Sequence, residues 1–375
     1  MTPPLSADLL EPALLPFGES TMLPAEAYTS PDVLAWERRH FFAASWVCVG
    51  RVEAVFADGR RQVATTVGDI GVLLLSEDDG GVAAFANTCR HRGHELLPEG
   101  GTSVKRAVVC PYHAWSYDLS GALIAAPGFR EVASFDPGAH GLVRLPAEVW
   151  HGWVFVNALG GAAPLSSHIG GLDGLVAPYA PSSLVLGATH DYVVAANWKV
   201  VTENYHECYH CPLIHPELCQ VSPPTSGSNF DLPGVWVGGS MDLRDGAETM
   251  SFSGRSDGAP IAGVDPRTVL YLGLLPNLLL SLHPDYVMTH RMVPLAPDRT
   301  QVECAWYFTS ADVDPAYAVE FWDTTNRQDW GACESVQRGL SSPHFSPGPL
   351  APNEDAVHQF VTTIARGYRD GGLTG

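Results

Sequence analysis

Two thiols and two imidazoles lie in a pattern that can hold a redox metal. Cys89-Arg90-His91-Arg92-Gly93 is answered by Cys110-Pro111-Tyr112-His113. Each segment brings one sulfur and one ring, as Cys-x-His and Cys-x-x-His. A [2Fe–2S] centre in which two cysteines hold one iron and two histidines the other suits that division between two loops. Tetrahedral zinc also accepts two Cys and two His, but structural zinc sites usually pair Cys with Cys and His with His by spacing. Cys89, His91, Cys110 and His113 therefore read as cluster ligands.

A second constellation runs from Glu203 to Pro216. His210 and His215 could meet if a helix ends near Pro212 and lets the second ring swing back. With a carboxylate from elsewhere they would form a two-His, one-carboxylate site, which leaves positions on Fe(II) open for O₂. Clustered histidines that merely pack or face solvent fit this pattern equally well. His206-Glu207-Cys208-Tyr209-His210 also matches the His-Glu-x-x-His zinc protease pattern, with Glu207 as general base. That short match is weak, and a protease has no use for a redox cluster. Glu207 lies three residues before His210, so one helical turn puts both on one face.

These residues need elements to position them. Ser30-Pro31-Asp32 starts a helix with Val33, Leu34, Trp36, Phe41 and Phe42 on its apolar side. Strands follow at 44–52, 62–67, 69–75, 82–87, 107–110, 115–118 and 153–157. Turns at Asp78-Asp79-Gly80-Gly81 and Ser120-Gly121 separate some of them. This is a small antiparallel β domain, and both Cys/His segments sit on its loops. Then come a strand at 190–196 and a helix over 198–209. The Gly/Pro/Ser/Asp-rich stretch 222–266 reads as a long irregular loop over a site. Strands at 269–275, 278–283, 286–293 and 301–309 make one antiparallel sheet, and helices cover 315–340 and 353–368. The fold class is α+β, with an arm and helix at 1–39, the cluster domain at 40–158 and a second metal domain at 159–375.

The composition narrows the function classes. A chain of 375 residues suggests about two to three domain-sized units. A net charge of −20 argues against nucleic acid or an anionic membrane as partner. No apolar run is long enough for a transmembrane helix, and Met1 to Leu10 lacks the basic start of a signal peptide. Eight cysteines, two in the cluster and Cys208 and Cys211 in the second site, read as a reduced, cytoplasmic chain.

From about residue 20 to 370 the chain resembles the α subunit of Rieske non-haem iron oxygenases. The motif Asn197-Trp198-Lys199, leading through an acidic residue and Tyr to His-x₄-His, carries the resemblance along with the four cluster residues. It implies an N-terminal Rieske domain and a C-terminal catalytic domain with a helix-covered antiparallel sheet. It implies His210 and His215 as iron ligands, with Asp329 of Gln328-Asp329-Trp330 as the third; Asp323 and Glu334 are the alternatives on the same helix. It implies that Glu207 bridges a neighbouring subunit's cluster histidine to an iron ligand, that electrons cross between subunits, and that the enzyme is a trimer. No tether for a small β subunit is apparent in the sequence, so a homotrimer is expected. Tyr112 and Trp115 help to cover the cluster, or are ordinary aromatic core. Asn204 and Tyr205 line the iron pocket, or pack and cap the helix. Electrons come from NAD(P)H through a separate flavin/iron–sulfur reductase, since no Gly-x-Gly-x-x-Gly motif is present.

Within that family the C-terminal half looks most like the glycine betaine, proline betaine, choline and carnitine oxygenase group. That resemblance implies hydroxylation of an N-methyl carbon, which releases formaldehyde and a demethylated amine. Cation–π attraction would hold a quaternary ammonium, and Trp236, Tyr271, Tyr286, Trp306 and Phe308 are the candidate cage walls. Arg291 or His290 could meet a substrate carboxylate. The alternatives are a Rieske oxygenase acting on an aromatic or natural-product substrate, and an electron carrier whose second half holds no metal.

Overall fold

The computed structural model describes residues 4–78 and 80–374. The chain forms two units. One runs from Glu37 to Leu165; the other joins the chain up to Trp36 with the chain from Ser166 onward. Asp79, in the expected turn after residue 77, lies outside the described residues.

The Glu37–Leu165 unit is built from short antiparallel strands. These are β1 Val47–Arg51, β2 Gln62–Val67, β3 Ile70–Ser76, β4 Val82–Ala86, β5 Thr102–Ser103, β6 Ala107–Val109, β7 Ser116–Asp118, β8 Leu123–Ala125, β9 Arg144–Leu145, β10 Ala147–Trp150 and β11 Trp153–Val156. They make three sheets, ordered β1-β11-β10, β5-β2-β3-β4-β9 and β6-β7-β8. Leu73, Leu75, Phe85, Trp115 and Tyr117 share one buried core with Cys89 and Cys110. That core holds the two cluster loops from beneath.

The other unit is organised by one seven-stranded antiparallel sheet. Its strands are β12 Val185–Val194, β13 Ser228–Asn229, β14 Trp236–Asp242, β15 Thr268–Leu274, β16 Leu278–Leu282, β17 Tyr286–Ala296 and β18 Arg299–Phe308, ordered β12-β18-β17-β16-β15-β14-β13. Four helices matter for the site: α1 Trp198–Tyr205, α2 Cys211–Ile214, α3 Ala316–Leu340 and α4 Asp355–Asp370. Helix α3 packs on α1 and β12, and α4 packs on α1 and β14. β16 is buried along its whole length, as expected of a strand covered on both faces.

Two sequence expectations need correction. The stretch 222–266 is not all loop, because β13 and β14 lie within it. Gly238 and Gly239 make β14 look like a linker in composition, yet Gly238 is there for contact. A Cβ at that position would sit 2.2 Å from the Tyr271 carbonyl oxygen across the β14–β15 pair. The helix expected over 198–209 ends at Tyr205. Beyond it the Glu207 carboxylate accepts from the backbone N–H groups of Tyr209 and His210, a local bond that competes with helical pairing.

Candidate functional site

The two Cys/His loops share one backbone design. In the first, Cys89 N donates to His94 O at 2.8 Å and Gly93 N to Cys89 O at 3.0 Å. In the second, Cys110 N donates to Trp115 O at 2.8 Å and Ala114 N to Cys110 O at 3.0 Å. The fourth residue after each cysteine has positive φ, +74° at Gly93 and +59° at Ala114. Each turn thus sets a buried thiol beside a ring. The His91 and His113 rings lie 4.7 Å apart, and Trp115 stacks on His91 at 4.9 Å and 10°. Tyr112 is exposed and lies against His113. Nδ1 of His91 is buried and without a hydrogen-bond partner, and burial is the main influence raising the Cys110 thiol above its ordinary pKa. Two shielded sulfurs, two neighbouring rings and an orphaned ring nitrogen fit a two-iron cluster. Tyr117 is a partner the sequence did not reveal: its hydroxyl lies 3.3 Å from Cys89 Sγ and accepts from Arg90 N at 3.0 Å.

In the other unit, the family motif turns out to anchor α1. Asn197 caps the helix, accepting from Lys199 N at 3.0 Å and donating to Pro297 O at 2.7 Å. Trp198 and Lys199 are fully buried, with the Lys199 ammonium 5.0 Å from the Trp198 ring centre. Glu203, also buried, accepts from Tyr28 Oη at 2.7 Å. Anchored in this way, α1 delivers the chain to His206, and the following turn and α2 deliver His210 and His215.

His210, His215 and Asp329 come together. His210 Nε2 and His215 Nε2 are 3.1 Å apart, and Asp329 Oδ1 lies 2.8 Å from His215 Nε2 and 3.2 Å from His210 Nε2. Ligand atoms at about 2.1 Å from a metal and at right angles to one another are about 3 Å apart. The three therefore match one face of an octahedral site. Burial alone would raise the Asp329 carboxyl; hydrogen bonds with His210 and His215 outweigh it and hold the group below the usual carboxylate range. Burial lowers His210, yet Asp329 and Glu207 push it up to about 9. The charge balance favours a cation among these groups.

The rings are held from behind as well. Glu207 pairs with His210 Nδ1, and Gln328 Oε1 lies 2.7 Å from His215 Nδ1. Asp323 is engaged instead with His190, Tyr192 and Arg327, and Glu334 accepts from Ala195 N. His206 stays out of the metal group, so the protease pattern is not realised. Its Nε2 is buried without a partner, and a Cβ at Gly273 would lie 2.4 Å from it. Cys208 and Cys211 are joined by a disulfide, which corrects the reading of an all-reduced chain. The bridge closes the turn that carries Tyr209 and His210.

A cavity of about 310 Å³ adjoins His210, His215 and Asp329. Glu207, Asp329 and Asp355 are among its lining residues, and no Lys or Arg is among the described ones. Asn204, Tyr205, Tyr271, Trp322 and Trp330 supply much of its amide and aromatic wall. Of the five expected cage residues, Tyr271 alone lines it. Trp236, Tyr286, Trp306 and Phe308 are buried in the sheet and its packing; Tyr286 Oη, for example, accepts from Trp322 Nε1 at 2.7 Å. His290 lines the cavity, with Nε2 3.1 Å from Asn326 Oδ1, and burial lowers its pKa to about 4. Arg291, the next residue on β17, does not reach the cavity; it is paired with Glu303 at 2.9 Å. Among the described residues no helix is long and apolar enough to cross a membrane.

Comparison with known proteins gives a consistent picture. Residues 181–370 match the ring-hydroxylating α-subunit catalytic domain, and residues 45–136 match the Rieske [2Fe–2S] domain. The chain is 32% identical to the glycine betaine monooxygenase oxygenase subunit of Chromohalobacter salexigens, over 90% of this chain and 84% of that protein. It is 29% identical to the carnitine monooxygenase oxygenase subunit of Escherichia coli K12, over 86% of this chain and 85% of that one. A solved quaternary ammonium Rieske monooxygenase in complex with L-carnitine aligns with TM-score 0.76 and 25% identity, over 97% of this chain and 99% of that one. Naphthalene 1,2-dioxygenase from Rhodococcus aligns with TM-score 0.75 at 17% identity, a likeness of fold, over 97% of each chain.

Proposed function

The chain belongs to the ring-hydroxylating α-subunit family, whose members carry a Rieske cluster and a mononuclear iron, and from that premise we propose that it hydroxylates an N-methyl group of a small quaternary ammonium compound resembling glycine betaine. The observation that carries this reading is the composition of the cavity. With Glu207 committed to His210 and Asp329 to the iron, a pocket that keeps the Asp355 carboxylate and several aromatic faces, with no Lys or Arg among its described lining residues, suits a permanent cation. Such a wall suits a neutral ring compound less well, because it would strip water from the Asp355 carboxylate without offering a counter-charge.

Cys89, His91, Cys110 and His113 would hold the cluster, and His210, His215 and Asp329 the iron. With reductant and O₂, the metals supply one-electron transfer and oxygen activation. The residues of the chain do the rest. Tyr205, Tyr271, Trp322 and Trp330 hold the cationic head and keep water from it. Asn204 lies on the wall beside the metal-ligating side chains. Glu207 orients His210 and, by the family resemblance, links it to a cluster histidine of a neighbouring subunit. That role requires an oligomer, and a homotrimer fits it. The partner is a flavin/iron–sulfur reductase fed by NAD(P)H, which suits a cytoplasmic location.

The overall reaction balances. An N-methyl group, O₂, NAD(P)H and a proton give the N-hydroxymethyl cation, water and NAD(P)⁺. The hydroxymethyl cation then breaks its C–N bond to release formaldehyde and the protonated, demethylated amine. The test measures formaldehyde and NADH consumption with a compatible reductase, across glycine betaine, proline betaine, choline, carnitine and several aromatic acids. Formaldehyde stoichiometric with NADH for one quaternary amine is the expected result. NADH use tied only to an aromatic compound, without formaldehyde, would sink the reading and leave the oxygenase class in place.

A further inference from the structure

The two metal-ligating histidines are supported by chemically different partners. His210 presents Nε2 to the metal group and Nδ1 to the Glu207 carboxylate. His215 presents Nε2 to Asp329 at 2.8 Å and Nδ1 to Gln328 Oε1 at 2.7 Å. Gln328 and Asp329 are consecutive residues of α3, so one short piece of helix grips both nitrogens of one ring. The His215 side chain is only 2% exposed, which leaves water little part in orienting it.

A neutral imidazole binds a metal through its unprotonated nitrogen. For Nε2 of His215 to present a lone pair, the ring proton must sit on Nδ1. An amide oxygen accepts that proton and an amide N–H₂ cannot, so the Gln328 oxygen faces the ring. The hydrogen bond then fixes both tautomer and ring angle. A carboxylate behind His210 draws more strongly on its ring proton than a neutral amide does behind His215, and so makes His210 the more basic ligand.

We propose that Gln328 is a positioning residue that holds His215 in its metal-binding tautomer through a neutral acceptor, and that its contrast with Glu207 makes His215 the weaker of two unequal histidine ligands. This rests on the mononuclear iron site of the proposed function.

The test uses the full-length, cluster-loaded protein, stripped of its mononuclear metal and titrated with Co(II) and Fe(II). Affinity and the Co(II) ligand-field spectrum are read, with cluster absorbance as the check on the fold. Q328L should weaken metal binding about 10- to 100-fold and alter the Co(II) spectrum while the cluster bands stay. Q328E restores an acceptor with added charge; it should bind at least as tightly as wild type and shift the spectrum. Wild-type affinity and an unchanged spectrum in Q328L would overturn the proposal. Should Q328L lose its cluster, Q328E decides alone, and an unaltered affinity and spectrum in that variant would overturn it too. A wild-type protein that takes up no metal beyond the cluster would instead refute the underlying iron site.

Discussion

The two candidate metal-binding regions are assembled in opposite ways. The two Cys/His pairs proposed to hold the cluster come from two short turns with the same backbone hydrogen bonds, so each pair is positioned largely by its own loop. The second site is assembled across the fold. His215 and Asp329 are 114 residues apart in sequence, and they meet only because α3 packs on α1. The helix α1 is in turn fixed by buried polar groups: the Asn197 cap, Lys199, and Glu203 bonded to Tyr28. A site made of local turns should tolerate distant change. A site made of long-range packing should be lost piece by piece as its supports are removed.

The largest effect expected from this contrast is a clean separation of metals. D329A should remove turnover and lower iron from about three atoms per chain to about two, with cluster absorbance intact. C110S should do the converse and abolish the cluster bands. Loss of the cluster in D329A as well would mean that the two regions do not assemble independently. Next in size is E207Q. Gln keeps the length but withdraws the charge from His210, so turnover and mononuclear metal affinity should each fall about 10- to 100-fold. Steady-state rates and metal titration together would show whether Glu207 acts on the iron ligand at all.

Smaller still is the wall. Y271A should raise the dissociation constant of the quaternary amine by roughly 2- to 30-fold, the range of about 0.5–2 kcal/mol for one cation–π face. W306F should leave that constant unchanged and alter only stability, because Trp306 is fully buried and does not line the cavity. Equal effects from both would break the assignment of Tyr271 to the substrate.

What the sequence disclosed follows the same division. Cys-x-His and Cys-x-x-His are local patterns, so the cluster loops were readable without any tertiary structure. The long apolar periodicity of α3 and the strands β15 to β18 were readable too. Gln328 and Tyr117 were not, because each acts on a ring or sulfur brought from far along the chain. Residues 290 and 291 show why the cavity was harder. Successive strand residues point to opposite faces, so His290 and Arg291 could not both face the substrate, yet the pattern does not say which face holds the cavity. Among aromatics, alternation cannot separate a wall from a core: Tyr271 reaches the cavity, whereas Tyr286 and Phe308 pack against each other. The disulfide depended on the turn left when α1 stops at Tyr205. Thiol counting in denaturant should find six reactive cysteines without reductant and eight with it.

The mildest effect on turnover should come from the support under α1. Burial pushes the Glu203 carboxyl up to about 8, against the opposing effects of the Tyr28 hydroxyl and the Lys199 ammonium. In the unfolded chain Glu loses its proton near pH 4.3. Between those values the folded state keeps a proton that the unfolded state has released, so this group makes stability fall as pH rises through that window. E203Q mimics the protonated carboxyl at every pH. It should flatten the decline and leave the variant more stable than wild type near pH 8, by on the order of 1–3 kcal/mol, with cluster and iron content unchanged. Denaturant unfolding at pH 5 and pH 8 reads this directly. A parallel pair of wild-type and E203Q profiles would mean that the Lys199 charge already keeps Glu203 ionised, and that α1 rests on a buried ion pair in place of a buried acid.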